Sequence, residues 1–144
     1  MDHSAGPAAQ GYWTATIAAL NSCPYYELLG IRVVSMGEGR ARLTMTVDEK
    51  LLQIYGVGHG GAVASLADSA MGVALISASR EDEAAITIEL KVNFVAPARR
   101  GLLTAEAVLF QHGRTIAGGD VEVRDVEGRL IAKAMGTYLP TRRK

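Results

Sequence analysis

Residues 53–79, QIYGVGHGGAVASLADSAMGVALISAS, carry more structural information than any other part of the chain. The stretch opens with Gly56, Gly58, Gly60 and Gly61 around a single His59. Roughly eighteen residues of helix formers follow. Ala62, Val63, Leu66, Ala67, Ala70, Met71, Val73, Ala74 and Leu75 recur at helical spacing and also fill the remaining faces. That pattern predicts a core helix buried nearly all round, with too many serines and too little length for a membrane span. Asp68 is its one costly passenger, because a buried carboxylate without partners is strongly destabilising.

The glycines have a physical reading. A helix start exposes unpaired N–H groups at the positive end of the macrodipole. Without side chains at Gly60 and Gly61, a ligand oxygen can approach those N–H groups closely. A carbonyl oxygen that becomes anionic during acyl transfer is what such donors stabilise, at roughly 3–4 kcal/mol for one donor. The helix therefore offers an electrophile-activating N–H at its tip and a carboxylate further in. Gly60 and Asp68 lie about 12 Å apart along one helix axis, too far to touch one carbonyl carbon. If both act on one substrate, they come from two copies whose helices run antiparallel across a two-fold, which predicts a homodimeric site.

Working outward, Gly56, Gly58 and Gly61 also spell G-x-G-x-x-G, but a dinucleotide site needs βαβ units and this chain continues as hairpins. Upstream, residues 1–10 read as disordered, with His3 inert. Residues 12–21 read as a short helix ended by Cys23-Pro24, and 25–29 as a helical turn stopped by Gly30. IRVVSM, Gly37-Glu38-Gly39 and RARLTMTV read as a hairpin with Ala41, Leu43, Met45 and Val47 on one face. Downstream, Glu81-Asp82-Glu83 reads as a solvated turn. Ile86, Ile88, Leu90, Val92 and Phe94 then alternate with Thr87, Glu89, Lys91 and Asn93 up to Pro97. Two further hairpins follow, turning at His112-Gly113 and Val126-Glu127-Gly128. Gly118-Gly119 inside a strand predicts a bulge or a close backbone approach. The result is an α+β domain with one long helix covered by one face of a sheet of about six strands.

The 144 residues suffice for one domain. Fifteen basic and fifteen acidic side chains cancel, leaving no global field for nucleic acid or membrane. Cys23 is alone, which suits a reducing compartment, and the start lacks a signal-peptide pattern, so the expected location is cytoplasmic. His59 has no second histidine, cysteine or carboxylate at ligand spacing, so no metal is expected.

LLQIYGVGHGGAVASLADSAMGVAL, preceded by PYYELLGIRVVSMGEGRARLTMTV and followed by TIELKVNFVAPARRG, resembles the hotdog-fold acyl-CoA thioesterase superfamily. Within it the chain is most similar to the phenylacetyl-CoA (PaaI-like) branch. The likeness spans residues 24–139 and rests on His59-Gly60-Gly61, with an acid nine residues after the histidine and Gln53 six before it. It implies a hotdog domain over residues 24–144, with 1–23 as an extension carrying a short helix. It also implies a thioester hydrolase of acyl-CoA that needs no cofactor beyond the coenzyme A of its substrate. The implied unit is a homodimer, assembled further into a homotetramer.

By the same resemblance Asp68 is the acidic catalyst, as nucleophile or general base, and the Gly60 N–H polarises the thioester carbonyl. His59 orients the loop or the carbonyl. Gln53 holds water or the carbonyl, or is a polar loop residue; it stands where relatives carry Asn or Gln. Thr87 positions water, or is an ordinary strand threonine. Gly61, Arg99, Arg100 and Arg114 are candidate coenzyme A contacts, the arginines otherwise being solvated turn residues. Leu66, Ala67, Ala70 and Met71 are expected along an acyl tunnel. Two rival readings use the same residues: a hotdog enoyl-CoA hydratase or dehydratase, and a non-catalytic acyl-CoA-binding protein.

Overall fold

The computed structural model describes residues 7–80 and 83–142. The expected disorder of residues 1–6, including His3, and the Glu81-Asp82 part of the acidic turn lie outside those residues.

Helix α1 spans Pro7–Asn21, longer than the 12–21 expected; it takes in 7–10, and proline is well placed to open a helix. Trp13, Ile17 and Leu20 pack one flank of it against the core. Helix α2, Pro24–Leu29, starts on Pro24 and ends at Gly30, whose φ of 74° is the left-handed cap that glycine adopts without steric cost. Strands β1 (Arg32–Gly37) and β2 (Arg40–Val47) form the expected hairpin. Its turn residues Glu38 and Gly39 both have positive φ, the geometry that matches strand twist. After a short 3₁₀ turn at Glu49–Leu51 comes helix α3, Gly60–Ala78. Strands β3 (Glu83–Phe94), β4 (Gly101–His112), β5 (Ala117–Arg124) and β6 (Leu130–Arg142) complete the chain.

The six strands form one curved antiparallel sheet in the order β1-β2-β4-β5-β6-β3, and α3 packs into its concave face against all six. This is the hotdog architecture that the sequence resemblance implied. Inward rows from Leu43 and Met45, Leu103 and Ala105, and Val121 and Val123 meet Leu66, Ala70, Met71 and Leu75 of the helix. Length and composition alone would let this 19-residue helix cross a membrane, contrary to the sequence reading. Its packing inside the sheet is what makes it a core helix. The all-round burial is also corrected: Ala64, Ser65, Asp68, Ser69 and Gly72 line a flank that the sheet covers only in part.

Two bulges decide where side chains point. In β3 the register slips between Thr87 and Glu89, so Ile88 is an extra residue. Before it Ala85 and Thr87 face the helix; after it Leu90 and Val92 do. One extra residue flips every later side chain to the other face. The single alternation read from sequence is thereby broken, and Ile86 and Ile88 are 53% and 56% exposed on the outer surface. In β4 a second slip at Phe110 sits opposite Gly118 and Gly119. There both expectations for the glycine pair meet, a bulge and a close approach: a Cβ on Gly119 would stand 2.5 Å from Met71 Cε and 2.6 Å from the Val108 carbonyl oxygen.

Gly119→Ala is therefore expected to overpack the helix–sheet contact and lower stability by about 1–3 kcal/mol. Gly11→Ala, where nothing lies within 4 Å of the new methyl, should raise it by up to about 1 kcal/mol. Urea unfolding of the two variants checks the opposite signs.

Candidate active site

Asp68 stands in the third turn of α3, on the half-covered flank. The Tyr138 hydroxyl donates to Asp68 Oδ1 at 2.7 Å, and Thr87 Oγ1 donates to the same oxygen at 2.9 Å. Oδ2 has no hydrogen-bond donor among the described residues. Tyr138 is 1% exposed. Burial pushes its hydroxyl well above the ordinary phenol range, and the adjoining carboxylate pushes it the same way, so it remains a donor.

Tyr138 was not among the residues singled out from sequence. A signal existed: β6 places Ala132, Ala134, Gly136 and Tyr138 on its inward face. A tyrosine buried in an apolar core needs a partner for its hydroxyl, and the core helix carries one carboxylate. The β3 bulge supplies the second donor by turning Thr87 inward.

Two turns earlier, the tip of α3 has a particular arrangement of N–H groups. Gly58 donates to the Ala98 carbonyl at 2.6 Å and His59 to the Leu51 carbonyl at 2.7 Å. Gly61 donates to His59 Nδ1 at 2.8 Å, and Ala62 to the His59 carbonyl at 3.0 Å. Gly60 N–H alone in this run has no acceptor among the described residues. The two glycine donors expected from sequence thus reduce to one, since the His59 cap takes the Gly61 N–H. Because Nδ1 accepts that bond, the neutral imidazole carries its proton on Nε2. A cavity of about 350 Å³ adjoins Gly60, lined by Gly58, Val63, Phe94, Pro97 and Ile131, and the Phe94 ring would sit 3.2 Å from a Cβ at Gly60.

The other candidates are placed less centrally. Gln53 Oε1 accepts from the Tyr55 N–H and its own N–H donates to Val57 O at 2.9 Å, so this side chain closes the loop before the helix. Arg100 pairs with Glu49 at 2.5 Å and holds that carboxyl below the usual carboxylate range. Arg99 is exposed beside it. Arg114 lies beyond the opposite end of the 12-residue β4, about 35–40 Å along the strand, so within one chain the three arginines do not form one cluster. Leu66, Ala67, Ala70 and Met71 are all 0% exposed under the sheet and are not among the residues that line the cavity beside Gly60. Among the described residues no three His, Cys, Asp or Glu side chains converge as a metal site would need.

Gly60 and Asp68 are separated by about 12 Å along α3, and nothing in the fold brings them closer.

The thioesterase superfamily model matches residues 55–132, more than half of the chain, and covers the α3 tip, Asp68 and the first five strands less β1 and β2. The acyl-coenzyme A thioesterase PaaI of Escherichia coli is 34% identical over 111 residues, 76% of this chain and 77% of that protein. The 1,4-dihydroxy-2-naphthoyl-CoA hydrolase of Listeria monocytogenes is 30% identical over 105 residues, 73% of this chain and 85% of that one. A thioesterase family protein from Silicibacter pomeroyi superimposes with a TM-score of 0.85 at 31% identity, covering 92% of this chain and 100% of that chain. With a family model matched over more than half of its length and a relative 34% identical over 76% of it, the chain belongs to the thioesterase superfamily.

Proposed function

We propose that the protein hydrolyses acyl-CoA thioesters at a site shared by two subunits, with Asp68 of one and the partner subunit's Gly60 acting on one carbonyl. The carrying observation is that Asp68 keeps Oδ2 unbonded on the flank of α3 that its own sheet leaves half covered. The names of the Escherichia coli and Listeria monocytogenes relatives support a coenzyme A thioester as substrate. A single cysteine and a coenzyme A substrate both favour the reducing cytoplasm.

In this reading the partner subunit's Gly60 N–H donates to the thioester oxygen as it gains negative charge. Asp68 Oδ2 then either attacks the carbonyl carbon, giving an acyl–aspartyl anhydride that water cleaves, or takes the proton of the attacking water. The C–S bond breaks on both routes. Coenzyme A leaves as a thiolate, which needs little acid help because a thiol is a far stronger acid than an alcohol. The apolar cavity beside Gly60 receives part of the thioester. Arg99, Arg100 and Arg114 remain the candidates for the phosphates, drawn from the two subunits. No metal or further cofactor enters this scheme.

The edges of the sheet favour one dimer. Edge strand β1 is covered: the Asn21 side chain accepts from the Val33 N–H at 2.8 Å and donates to the Val33 carbonyl at 3.3 Å. Edge strand β3 presents 12 residues with no neighbour on their outer side among the described residues. An open edge of that length pairs readily with a second copy. Midway between Gly60 and Asp68 lies Ala64, and midway between Thr87 and Phe94 lie Leu90 and Lys91. Residues directly opposite in an antiparallel pair share a face, so the two-fold passes through one of these two. Lys91 on the axis would oppose its own copy. Leu90 on the axis instead sets Glu89 against the partner subunit's Lys91, twice, and is the favoured register. Ile86, Ile88, Phe110 and Leu139, exposed on the outer face, suit packing of two such dimers into the homotetramer.

Asp68→Asn keeps an acceptor for Tyr138 and Thr87 while removing the base, so turnover should fall about 10²- to 10⁴-fold with melting temperature near wild type. Thiol release from a panel of aryl- and alkyl-CoA esters measures it. Wild-type turnover in a folded Asp68→Asn protein, or hydration of enoyl-CoA without thiol release, overturns the reading. The register has its own check. Glu89→Lys should weaken the dimer about tenfold in sedimentation equilibrium, and adding Lys91→Glu should restore it.

A further inference from the structure

Thr87 and Tyr138 converge on one oxygen of Asp68, brought there by the Ile88 bulge and by Gly136, and the sequence resemblance accounts for Thr87 alone. Tyr138 reaches Oδ1 because its ring lies flat across Gly136: a Cβ there would stand 2.5 Å from Tyr138 Cε2. Any other residue at 136 would lift the ring and its hydroxyl away from the helix. Thr87 reaches Oδ1 because the extra residue Ile88 inverts the phase of β3 just after it. Without the bulge, a strand that buries Leu90 and Val92 would bury Ile86 and Ile88 and turn Thr87 outward. Both donors reach the same carboxylate oxygen, at 2.7 and 2.9 Å. The Thr87 proton is spent on that bond, which leaves its hydroxyl no proton for holding a water at the same time.

We infer that Tyr138 and Thr87 are positioning residues that clamp Asp68 by Oδ1, so that Oδ2 is the oxygen that attacks or deprotonates. The inference rests on the proposed hydrolase reading and deepens it. A carboxylate free to turn about its χ2 would present either oxygen in a range of directions. Held through Oδ1 by a buried phenol and a strand hydroxyl, it presents Oδ2 in one. Pre-orientation of this kind acts on the chemical step and not on substrate affinity. The buried phenol supplies the firmer half of the clamp, since it cannot exchange its partner for water. Thr87 is exposed in the single chain and its bond is the longer of the two, 2.9 against 2.7 Å, so it is the softer half.

Tyr138→Phe removes the hydroxyl and keeps the ring. Its kcat should fall about 10- to 100-fold with KM within twofold of wild type. Thr87→Val should lower kcat about 3- to 10-fold, again without a KM change, and Thr87→Ser should recover it. Gly136→Ala should resemble Tyr138→Phe, and adding it to the Tyr138→Phe background should cost no further kcat. Oligomeric state and melting temperature are followed for each variant. Wild-type kcat in folded Tyr138→Phe, or a raised KM with kcat unchanged, overturns the clamp. Should Tyr138→Phe fail to fold, unchanged kcat in Thr87→Val overturns it alone. Asp68→Asn separates the two levels. If it is inactive while the clamp variants are fully active, only this inference fails; if it is active, the hydrolase reading itself fails.

Discussion

A carboxylate in the third turn of an apolar helix sets the terms for much of this structure. Asp68 loses most of its water when α3 enters the concave sheet, and a charge in that position is tolerable only with hydrogen-bond donors close by. The sheet provides them from two adjacent strands, β6 through Tyr138 and β3 through Thr87. Each donor in turn requires a local departure from regular strand structure, a glycine under the phenol ring and an inserted residue in β3. Accommodating one acid thus shapes two strands, and the acid keeps one oxygen without a donor among the described residues.

The same helix has two unlike sides. Its buried side, Leu66, Ala67, Ala70 and Met71, is satisfied by the chain's own strands. Its other side, with Ser65, Asp68, Ser69 and Gly72, consists of small or polar residues only half covered. Small side chains along a helix flank permit another helix to come near. The bordering edge strand β3 has no neighbour on its outer side among the described residues, whereas β1 at the far edge is capped at Val33 by the Asn21 side chain. The two edges of the sheet are therefore treated differently, which is how β-proteins favour one self-association over another.

At the helix tip the chemistry is one of elimination. His59, the residue that first draws the eye, spends Nδ1 as an N-cap on Gly61. The surrounding N–H groups are bonded to Ala98, Leu51 and His59 carbonyl oxygens. What remains is the Gly60 N–H, beside an apolar cavity, at the positive end of the helix dipole. A donor so placed is already oriented toward any acceptor that enters the cavity and needs no rearrangement to receive it.

Local pattern was sufficient for the elements. The Glu38-Gly39 turn, the Gly30 and Gly128 stops and the alternation of Ala41, Leu43, Met45 and Val47 all appear where propensity and periodicity put them, because those signals act over a few residues. The apolar periodicity of residues 62–75 identified the core helix, and the glycines marked its open tip. Its full burial was not legible, since periodicity cannot separate a face packed by one's own sheet from a face left for a neighbour. The β3 alternation misled for a related reason: a bulge is selected by what lies across the ladder, not by the strand's own residues.

That an inward tyrosine on β6 would need a partner was legible, but its placement within reach of Asp68, 70 positions earlier in the chain, was set by tertiary structure, as was the distance that keeps Arg114 from Arg99 and Arg100. By itself the sequence determined the fold class, the core helix and the glycines at its tip, because hydrophobic spacing and glycine chemistry are written residue by residue. Which oxygen of Asp68 is bound, which glycine N–H stays open and which sheet edge is unpaired were decided only when distant strands closed around α3. Those facts are distances across the core, and no local property of the chain encodes them.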